Sequence, residues 1–313
     1  MQRYLAQRLL ASLPVLLVVA FLTFGILQFA PGDPAAVLLG EQATREDILR
    51  LRHKLGLDRP IPLQFAIWMG HVLRGDLGES LFSGQPVTKA IAERLEPTLS
   101  LALFAIIIAL LLALPLGVLA AWRANTWVDR AVMVFAVLGF SIPAFWLGIN
   151  LIYLFGVQLR LLPVMGYQPL SGGLGPYLKH LILPSVTLGL ISAALIARIT
   201  RASMLEVLRE DYIRTARAKG LGERVVLLRH ALKAASIPIL TIIGLAFAGL
   251  ITGVVVTETV FAIPGVGRLI VGAVVHRDYP IIQGAILLVA ASYVFVNLVV
   301  DILYSYLDPR VRY

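Results

Sequence analysis

The sequence contains no cysteine in 313 residues. Disulfides, thiolate metal sites and cysteine nucleophiles are therefore excluded, and any segment outside a membrane must fold without a covalent staple. Charge is also scarce: Asp, Glu, Lys and Arg make up 14% of the chain, against roughly 25% in soluble domains. There is no Gly-x-x-x-x-Gly-Lys-Ser/Thr loop to cradle a nucleotide's phosphates, so energy for any work the protein does must come from elsewhere. The five histidines, His53, His71, His180, His230 and His276, are scattered without a His-Glu-x-x-His spacing. A membrane protease would need such a metal cluster, or a nucleophile with its base.

What the chain has is apolar length. Hydrophobic residues are 59% of the total, and six stretches are free of Asp, Glu, Lys and Arg: 9–30, 98–122, 131–159, 181–197, 234–257 and 279–300. A helix needs ~20 apolar residues to cross a bilayer. None of the six alternates with the period of a barrel strand, so the expected fold is all-α, a polytopic membrane protein with six transmembrane helices. The shortest, 181–197, can be extended by His180 or Arg198 snorkelling at its ends. The first run follows Arg3 and Arg8, but it is longer than the ~7–15 residues of a signal-peptide core and lacks a small-x-small cleavage site. It reads as a retained helix.

The net charge of +9 is a topology signal rather than a nucleic-acid footprint. With the N-terminus inside, the internal segments carry Arg3, Arg8, Arg123, Arg130, Arg310, Arg312 and nine Lys/Arg between Arg198 and Lys233. The two short external loops carry only Arg160, Lys179, Arg268 and Arg277. This bias places both termini in the cytoplasm. The chain then divides into a first helix (1–30), an extracytoplasmic segment (31–97) and a permeating core (98–313) with a cytoplasmic loop at 200–235.

No ionisable Lys, Arg, Asp or Glu falls mid-span, which argues against a proton- or sodium-coupled secondary transporter, as does the lack of internal repeats. Glu258 and Asp301 sit at span ends and are expected to pair or face water. Asn150 and Asn297 read as interhelical hydrogen-bonding residues, with substrate contact the alternative. Pro115, Pro143 and Pro184 are expected to interrupt helices. Pro143, preceded by Ser141, is the first candidate for a kink lining a translocation path; a packing kink fits equally well.

In the external segment, Thr44-Arg45-Glu46-Asp47 is a variant capping box ahead of Ile48, Leu51 and Leu55, with Gly56 as the stop. A second helix is expected after Pro60-Ile61-Pro62, ending before Gly75, followed by turns at Arg74-Gly75-Asp76-Leu77-Gly78. Few large apolar groups are present, so this segment should lean on the membrane part or a partner. It is either a connector or, as long ordered loops usually are, a docking surface. The loop at 160–179 is Gly/Pro-rich and expected along the external surface. Residues 258–278 include Phe261-Ala262-Ile263-Pro264-Gly265-Val266-Gly267, too rich in breakers for one helix.

The loop at 200–235 is long and charged. Leu205, Leu208, Tyr212 and Thr215/Ala216 form a narrow apolar stripe among Glu206, Arg209, Glu210, Arg214 and Arg217. Gly220-Leu221-Gly222 should break that helix, and a second from about Glu223 carries Val225, Val226, Leu228 and Leu232. Pattern alone leaves two readings level: a rigid hairpin that a partner grips, or a polybasic loop resting on anionic lipid.

Asp211-Tyr212-Ile213-Arg214-Thr215-Ala216-Arg217-Ala218-Lys219-Gly220-Leu221 resembles the coupling loop of bacterial ABC importer permeases. The superfamily pattern there is Glu-Ala-Ala, three residues, then Gly. This chain keeps Ala216 and Gly220 but has Arg214-Thr215 for Glu-Ala, with His230-Ala231-Leu232-Lys233 and Pro238 at the later element. Those departures match the dipeptide, oligopeptide and nickel permeases. Further similarities are Ala30-Pro31-Gly32-Asp33-Pro34, Leu55-Gly56-Leu57-Asp58-Arg59-Pro60, Arg74-Gly75-Asp76-Leu77-Gly78, Ser141-Ile142-Pro143-Ala144-Phe145-Trp146, Phe261 to Arg268, and Leu307-Asp308-Pro309-Arg310. Together they cover almost the whole chain, and the long segment after the first span is similar to the first of two paired permeases.

The resemblance implies a type I ABC importer subunit with no enzymatic activity of its own. A second permease would complete the path, and one or two ATPase subunits would bind ATP and Mg. An extracytoplasmic binding protein would deliver di- or oligopeptides; nickel, glutathione or oligosaccharide cargo stays open. Tyr212, Arg214, Thr215, Ala216, Arg217, Ala218, Lys219, Gly220, Leu221 and Gly222 would form the ATPase contact. Arg217 and Lys219 would steer it towards acidic groups. Ser141, Pro143, Asn150 and Asn297 would be path candidates, and Asp33, Asp76, Phe261, Pro264, Gly265 and Arg268 candidates for an external gate or docking surface. This chain itself would bind no cofactor, metal or nucleic acid and would contact only lipid and its partner subunits.

Overall fold

The computed structural model describes residues 2–29, 44–54, 56 and 58–307. Asp33 and the motif at 30–34, Leu55, Leu57 and the ending 308–310 lie outside the described residues. In chain order the helices are α1 (Gln2–Phe29), α2 (Arg45–Lys54), α3 (Ile61–Leu73), α4 (Val87–Trp122), α5 (Trp127–Ser141) and α6 (Ala144–Leu151), which continues as a wide-turned helix over Ile152–Gln158. They are followed by α7 (Leu174–Val207), α8 (Asp211–Ala218), α9 (Ser236–Val260), α10 (Val266–Val275) and α11 (Tyr279–Leu307). The fold is all-α and polytopic. Among the described residues, four helices are individually long and apolar enough to cross a bilayer, and the number rises to six if each of two bent pairs is one span.

The bent pairs break two of the expected runs, one of them at Pro143 as expected. The charge-free run 131–159 is two helices, α5 and α6 with its extension, meeting at 103°. Ile142 before the proline is extended (φ −80, ψ 125), as the Pro143 ring requires when it excludes the helical region for its predecessor. Pro115 and Pro184 do not interrupt anything: both lie inside continuous helices, α4 and α7. Helix ends also run past the apolar limits. Helix α4 starts at Val87 rather than near Thr98, and α7 has 34 residues, a length of ~51 Å at the helical rise.

The chain divides into two compact units. The first is built on Leu95–Arg268, with α7 at its centre. Ala105, Ala109 and Ala113 are fully buried at four-residue spacing on α4, and Leu181, Leu188, Ala193 and Ile196 face inward from α7. Small residues set the approach. A Cβ on Gly189 would come 2.9 Å from Ile108, and one on Gly117 2.6 Å from Thr200. In hydrocarbon, where apolar side chains gain little by leaving lipid, such close backbone packing is the main source of helix–helix attraction.

The second unit holds Gln7–Arg94 and Leu269–Val294. Its short helices form where expected: Thr44 Oγ1 accepts the Asp47 N–H at 3.3 Å ahead of α2, and Gly56 has φ 69 beyond its end. Helix α3 leans on α1 through Phe65, whose ring is 5.4 Å from Phe24 and 5.7 Å from Phe21. The turn after Gly78 is held by a second anchor. Buried Asp278 accepts the Ser80 hydroxyl and, at 3.1 Å, the Leu81 N–H, while Phe82 stacks on His276 at 4.3 Å.

Candidate functional site

Within the first unit, helix α7 ends at Val207, and Leu208–Glu210 make a tight turn before α8 begins. Asp211 in the first turn of α8 suits its positive end. This break changes the face. The stripe expected through Leu205, Leu208, Tyr212 and Thr215/Ala216 holds in part: Leu205 and Leu208 are partly buried and Ala216 is buried, joined by Ile213, while Tyr212 and Thr215 face outward. The second half of the loop shifts as well. Residues Val226–Ala231 form a wide-turned helix, whose extra residue per turn rotates the register. Val226, Leu227 and Ala231 are buried, and Val225 and Leu228, expected inward, are exposed.

These inward groups meet in one cluster. Ile213 and Ala216 of α8 pack with Val226, Leu227 and Ala231, and with Ala121 at the end of α4, Met204 near the end of α7, and Ile239 at the start of α9. Helix α8 is thus seated on the ends of three long helices. Its outward face carries Tyr212, Arg214, Arg217, Ala218 and Lys219.

The turn that closes α8 is a Schellman motif. The Gly220 N–H bonds the Arg217 carbonyl at 2.9 Å, and the Leu221 N–H reaches that of Ala216 at 3.4 Å. Gly220 has φ 79, which is where glycine is needed, although a Cβ would meet nothing within 4 Å. Gly222 lacks both requirements, having φ −62 and open space around it. Across the turn, Arg217 grips Glu223 with two hydrogen bonds, Nη2 to Oε1 at 2.8 Å and Nε to Oε2 at 3.2 Å. That carboxylate raises the Arg217 pKa. The guanidinium expected to reach a partner is therefore committed within the chain, whereas Lys219 has no ion-pair partner among the described residues. Partial burial, then the Glu210 charge, raises the Tyr212 phenol.

A second brace joins α5 to α7. Asp129, at the start of α5, is buried and receives both Nε and Nη2 of Arg201 on α7, the latter at 2.6 Å, plus the Asn125 N–H at 2.9 Å. Sequence reasoning missed this pair because the residues are far apart in the chain and neither lies in a motif.

The path and gate candidates separate. Ser141 and Asn150 each bond a carbonyl four residues back in their own helix, Val137 at 2.8 Å and Trp146 at 2.7 Å, and among the described residues Asn150 shows no interhelical bond. Asn297 is exposed, as are Ser141, Pro143 and Asn150; among the described residues no hydrogen bond joins any two of them. Asp76 is a turn builder whose carboxyl is lowered by the Gly78 N–H and by His71. Phe261 and Gly265 are buried, whereas Pro264 and Arg268, like Asp76, are exposed.

The reason is Glu258, which is fully buried rather than paired with a cation or facing water. Its carboxylate accepts the Thr98 hydroxyl at 2.5 Å and the Arg268 N–H at 2.9 Å, and Thr98 Oγ1 in turn accepts the Val266 N–H at 2.8 Å. The first turn of α10 is capped from below by this group. A Cβ on Gly265 would overlap the carboxylate, and one on Gly267 would come 2.6 Å from Val255 Cα. Both glycines of the 264–267 motif are thus set by close approach. An acid followed by glycines seven and nine residues on was the available signal.

Helices of this length and hydropathy, with a charged helix seated on the ends of three of them, define a polytopic membrane permease. Comparisons agree. Residues 113–313 match the family described as binding-protein-dependent transport system inner membrane component, and residues 1–102 match its N-terminal companion, the binding-protein-dependent transport system membrane component, N-term. A probable peptide ABC transporter permease protein, y4tP, from Sinorhizobium fredii is 50% identical over 310 residues, 99% of each chain. The dipeptide transport system permease protein DppB of Alkalihalophilus pseudofirmus is 43% identical over the full length of both. The glutathione transport system permease protein GsiC of Salmonella typhi is 46% identical, again over the full length. In fold, the MetNI methionine ABC transporter in an inward-facing form aligns with 68% of this chain and 93% of its own, with a TM-score of 0.57 at 18% identity. The chain belongs to the family of binding-protein-dependent ABC importer permeases, among relatives named for peptide, dipeptide and glutathione transport.

Proposed function

We propose that this chain is one of two permeases in an ATP-driven importer of di- or oligopeptides, with six spans and both termini in the cytoplasm. The observation that carries the reading is the seat of α8: Ile213 and Ala216 are buried among residues from the ends of α4, α7 and α9, while its charged face is exposed. A push on that face is delivered to three long helices at once. An ATPase subunit, holding ATP and Mg, would grip residues 211–222, and its closure would rock those helices. Here Arg217 shapes the grip from within, and Lys219 and Arg214 offer charge to an acidic groove.

Peptide cargo is supported by the names of the relatives, two of them peptide or dipeptide systems and one carrying glutathione, itself a tripeptide. Glutathione, nickel or oligosaccharide import is the alternative, since a separate binding protein would choose the cargo. Exposed Pro264 and Arg268 are candidates for the gate or docking surface that the binding protein meets, and exposed Asp76, in the other unit, is a separate candidate. Sparse polar lining at Ser141, Asn150 and Asn297 suits a path for peptides of varied side chain.

The test is co-purification from gently solubilised membranes, followed by uptake of labelled dipeptide into proteoliposomes. Recovery of a second permease and an ATPase, with ATP-dependent uptake, is expected. A chain that purifies alone and transports without ATP would overturn the reading in favour of a secondary carrier.

A further inference from the structure

The charge-free run 131–159 stops at Arg160, and the next one, 181–197, begins after Lys179 and His180. Between residues 131 and 197 there is no Asp or Glu. The fold brings these three basic residues to one surface cavity of about 500 Å³, walled by Leu161, Leu162, Pro163 and Pro176. Neither Arg160 nor Lys179 has a hydrogen-bond or ion-pair partner among the described residues. His180 donates Nδ1–H to the Pro176 carbonyl at 2.8 Å, which leaves Nε2 uncommitted. Glu96, the carboxylate bonded to this loop, is occupied by the Tyr167 hydroxyl at 3.0 Å and the Leu170 N–H at 2.9 Å.

Arg160 also stands in the left-handed region, with φ 52. A bulky side chain seldom adopts it, because of Cβ crowding. The backbone turns there to bring the Leu161 and Leu162 N–H groups onto the Phe155 carbonyl, at 2.9 and 3.3 Å.

We propose that this cavity holds the phosphate headgroup of an anionic phospholipid at the rim of the bilayer. The ends of two apolar runs set it at the depth of lipid phosphates, on the external side to which the charge bias assigns this loop, and clustered cations beside apolar surface attract anionic headgroups. The surroundings are those of a lipid site rather than a water-filled one. Leu159, Leu161 and Leu174 beside it are 51%, 65% and 62% exposed, a leucine surface that acyl chains would cover. The cations supply the phosphate contacts and the leucines the chain contacts, and no acid opposes them. The inference rests on the membrane location and not on the identity of the cargo.

The experiment uses the assembled complex in nanodiscs of phosphatidylcholine, with and without phosphatidylglycerol. Two readouts are taken: lipid retained in native mass spectrometry, and hydrogen exchange of residues 159–180. Phosphatidylglycerol should be retained and should slow exchange there. Arg160→Gln with Lys179→Gln should weaken retention about 30-fold, at the usual value of two interfacial cations. Removing the same charge elsewhere, by Arg74→Gln with Lys89→Gln, should not. Equal loss in both double variants, or no protection of 159–180 by phosphatidylglycerol, overturns the proposal. Protection by inorganic phosphate or N-acetyl-dialanine in phosphatidylcholine, with none from phosphatidylglycerol, reassigns the cavity to a soluble anion and overturns it too. ATP-dependent uptake is followed in parallel, so a failure of the importer reading would be seen separately.

Discussion

Arg217 and Glu223 clasp each other across the Gly220 turn, in a fork whose shorter limb is 2.8 Å. Both side chains are partly exposed, 41% and 35%, so their bond contributes on the order of 1 kcal/mol or less to folding. Its value lies in holding α8 at a fixed angle to the segment after it. Glu223→Gln should therefore leave expression and thermal stability near wild type while lowering dipeptide uptake per ATP hydrolysed several-fold. Arg217→Lys should not preserve coupling, because an ammonium cannot make the planar two-point contact. Uptake and ATPase activity measured on the same proteoliposomes check this; unchanged coupling in both variants would count against a fixed angle.

Gly220 offers a graded version of the same test. Alanine fits in the open space around it but must adopt φ 79, a cost of about 1–2 kcal/mol. Proline cannot adopt that φ and also lacks the N–H that bonds Arg217. The expected order of ATP-coupled uptake is wild type, then Gly220→Ala, then Gly220→Pro near background, with all three inserted in the membrane. Gly222→Ala, where neither φ nor space demands glycine, should behave as wild type.

What the sequence disclosed, and what it hid, follows the range of the interactions involved. The apolar runs, the short helices α2 and α3 and the turn at Gly220 depend on residues within a few positions of one another, and all were legible. The three prolines were legible only in part: Pro143 interrupts its run as expected, and Pro115 and Pro184 do not. Pro184 is buried in the packed face of α7, where continuity keeps Leu181, Leu183 and Leu188 inward, and the helix runs on. Pro143 is exposed, and the chain bends by 103°. Pro115 is exposed as well, yet α4 runs on through it, so neither residue type nor exposure alone marks the break. The register of the coupling loop was misread in part for a similar reason: a turn at Leu208–Glu210 and a wide turn at Val226–Ala231 each rotate the face, and neither leaves a residue signature. Glu258 looked like a surface acid because its partners, Thr98 and the α10 backbone, could not be placed beside it from sequence.

The brace between Asp129 and Arg201 should behave as a buried pair. Asp129 is 5% exposed and Arg201 23% at the side chain, so removing one partner strands a charge, at about 3–5 kcal/mol. Asp129→Asn or Arg201→Met should lower the Tm of the purified complex by several degrees. The double variant Asp129→Leu with Arg201→Met should recover most of that loss, since neither charge then remains. A double variant as unstable as the sum of the singles would show that the two residues act separately.

The Glu258 cap makes the sharpest steric prediction. Gly265 is buried against the carboxylate, so a methyl group there must displace it from the Thr98 hydroxyl and the Arg268 N–H. Gly265→Ala should destabilise the complex by about 1–3 kcal/mol, the range for overpacking a filled site. Glu258→Gln keeps the volume and one acceptor oxygen, and its cost is expected to fall within the ~1–3 kcal/mol of a buried hydrogen-bonding group left short of a partner. The informative variant is Gly265→Ala combined with Glu258→Ala. Truncating the acid removes the overlap but leaves the α10 N–H groups and Thr98 without their acceptor. The two changes should therefore be less costly together than their sum, yet never as stable as wild type. Strict additivity in thermal unfolding of the assembled complex would mean that glycine at 265 is required for some reason other than the carboxylate beside it.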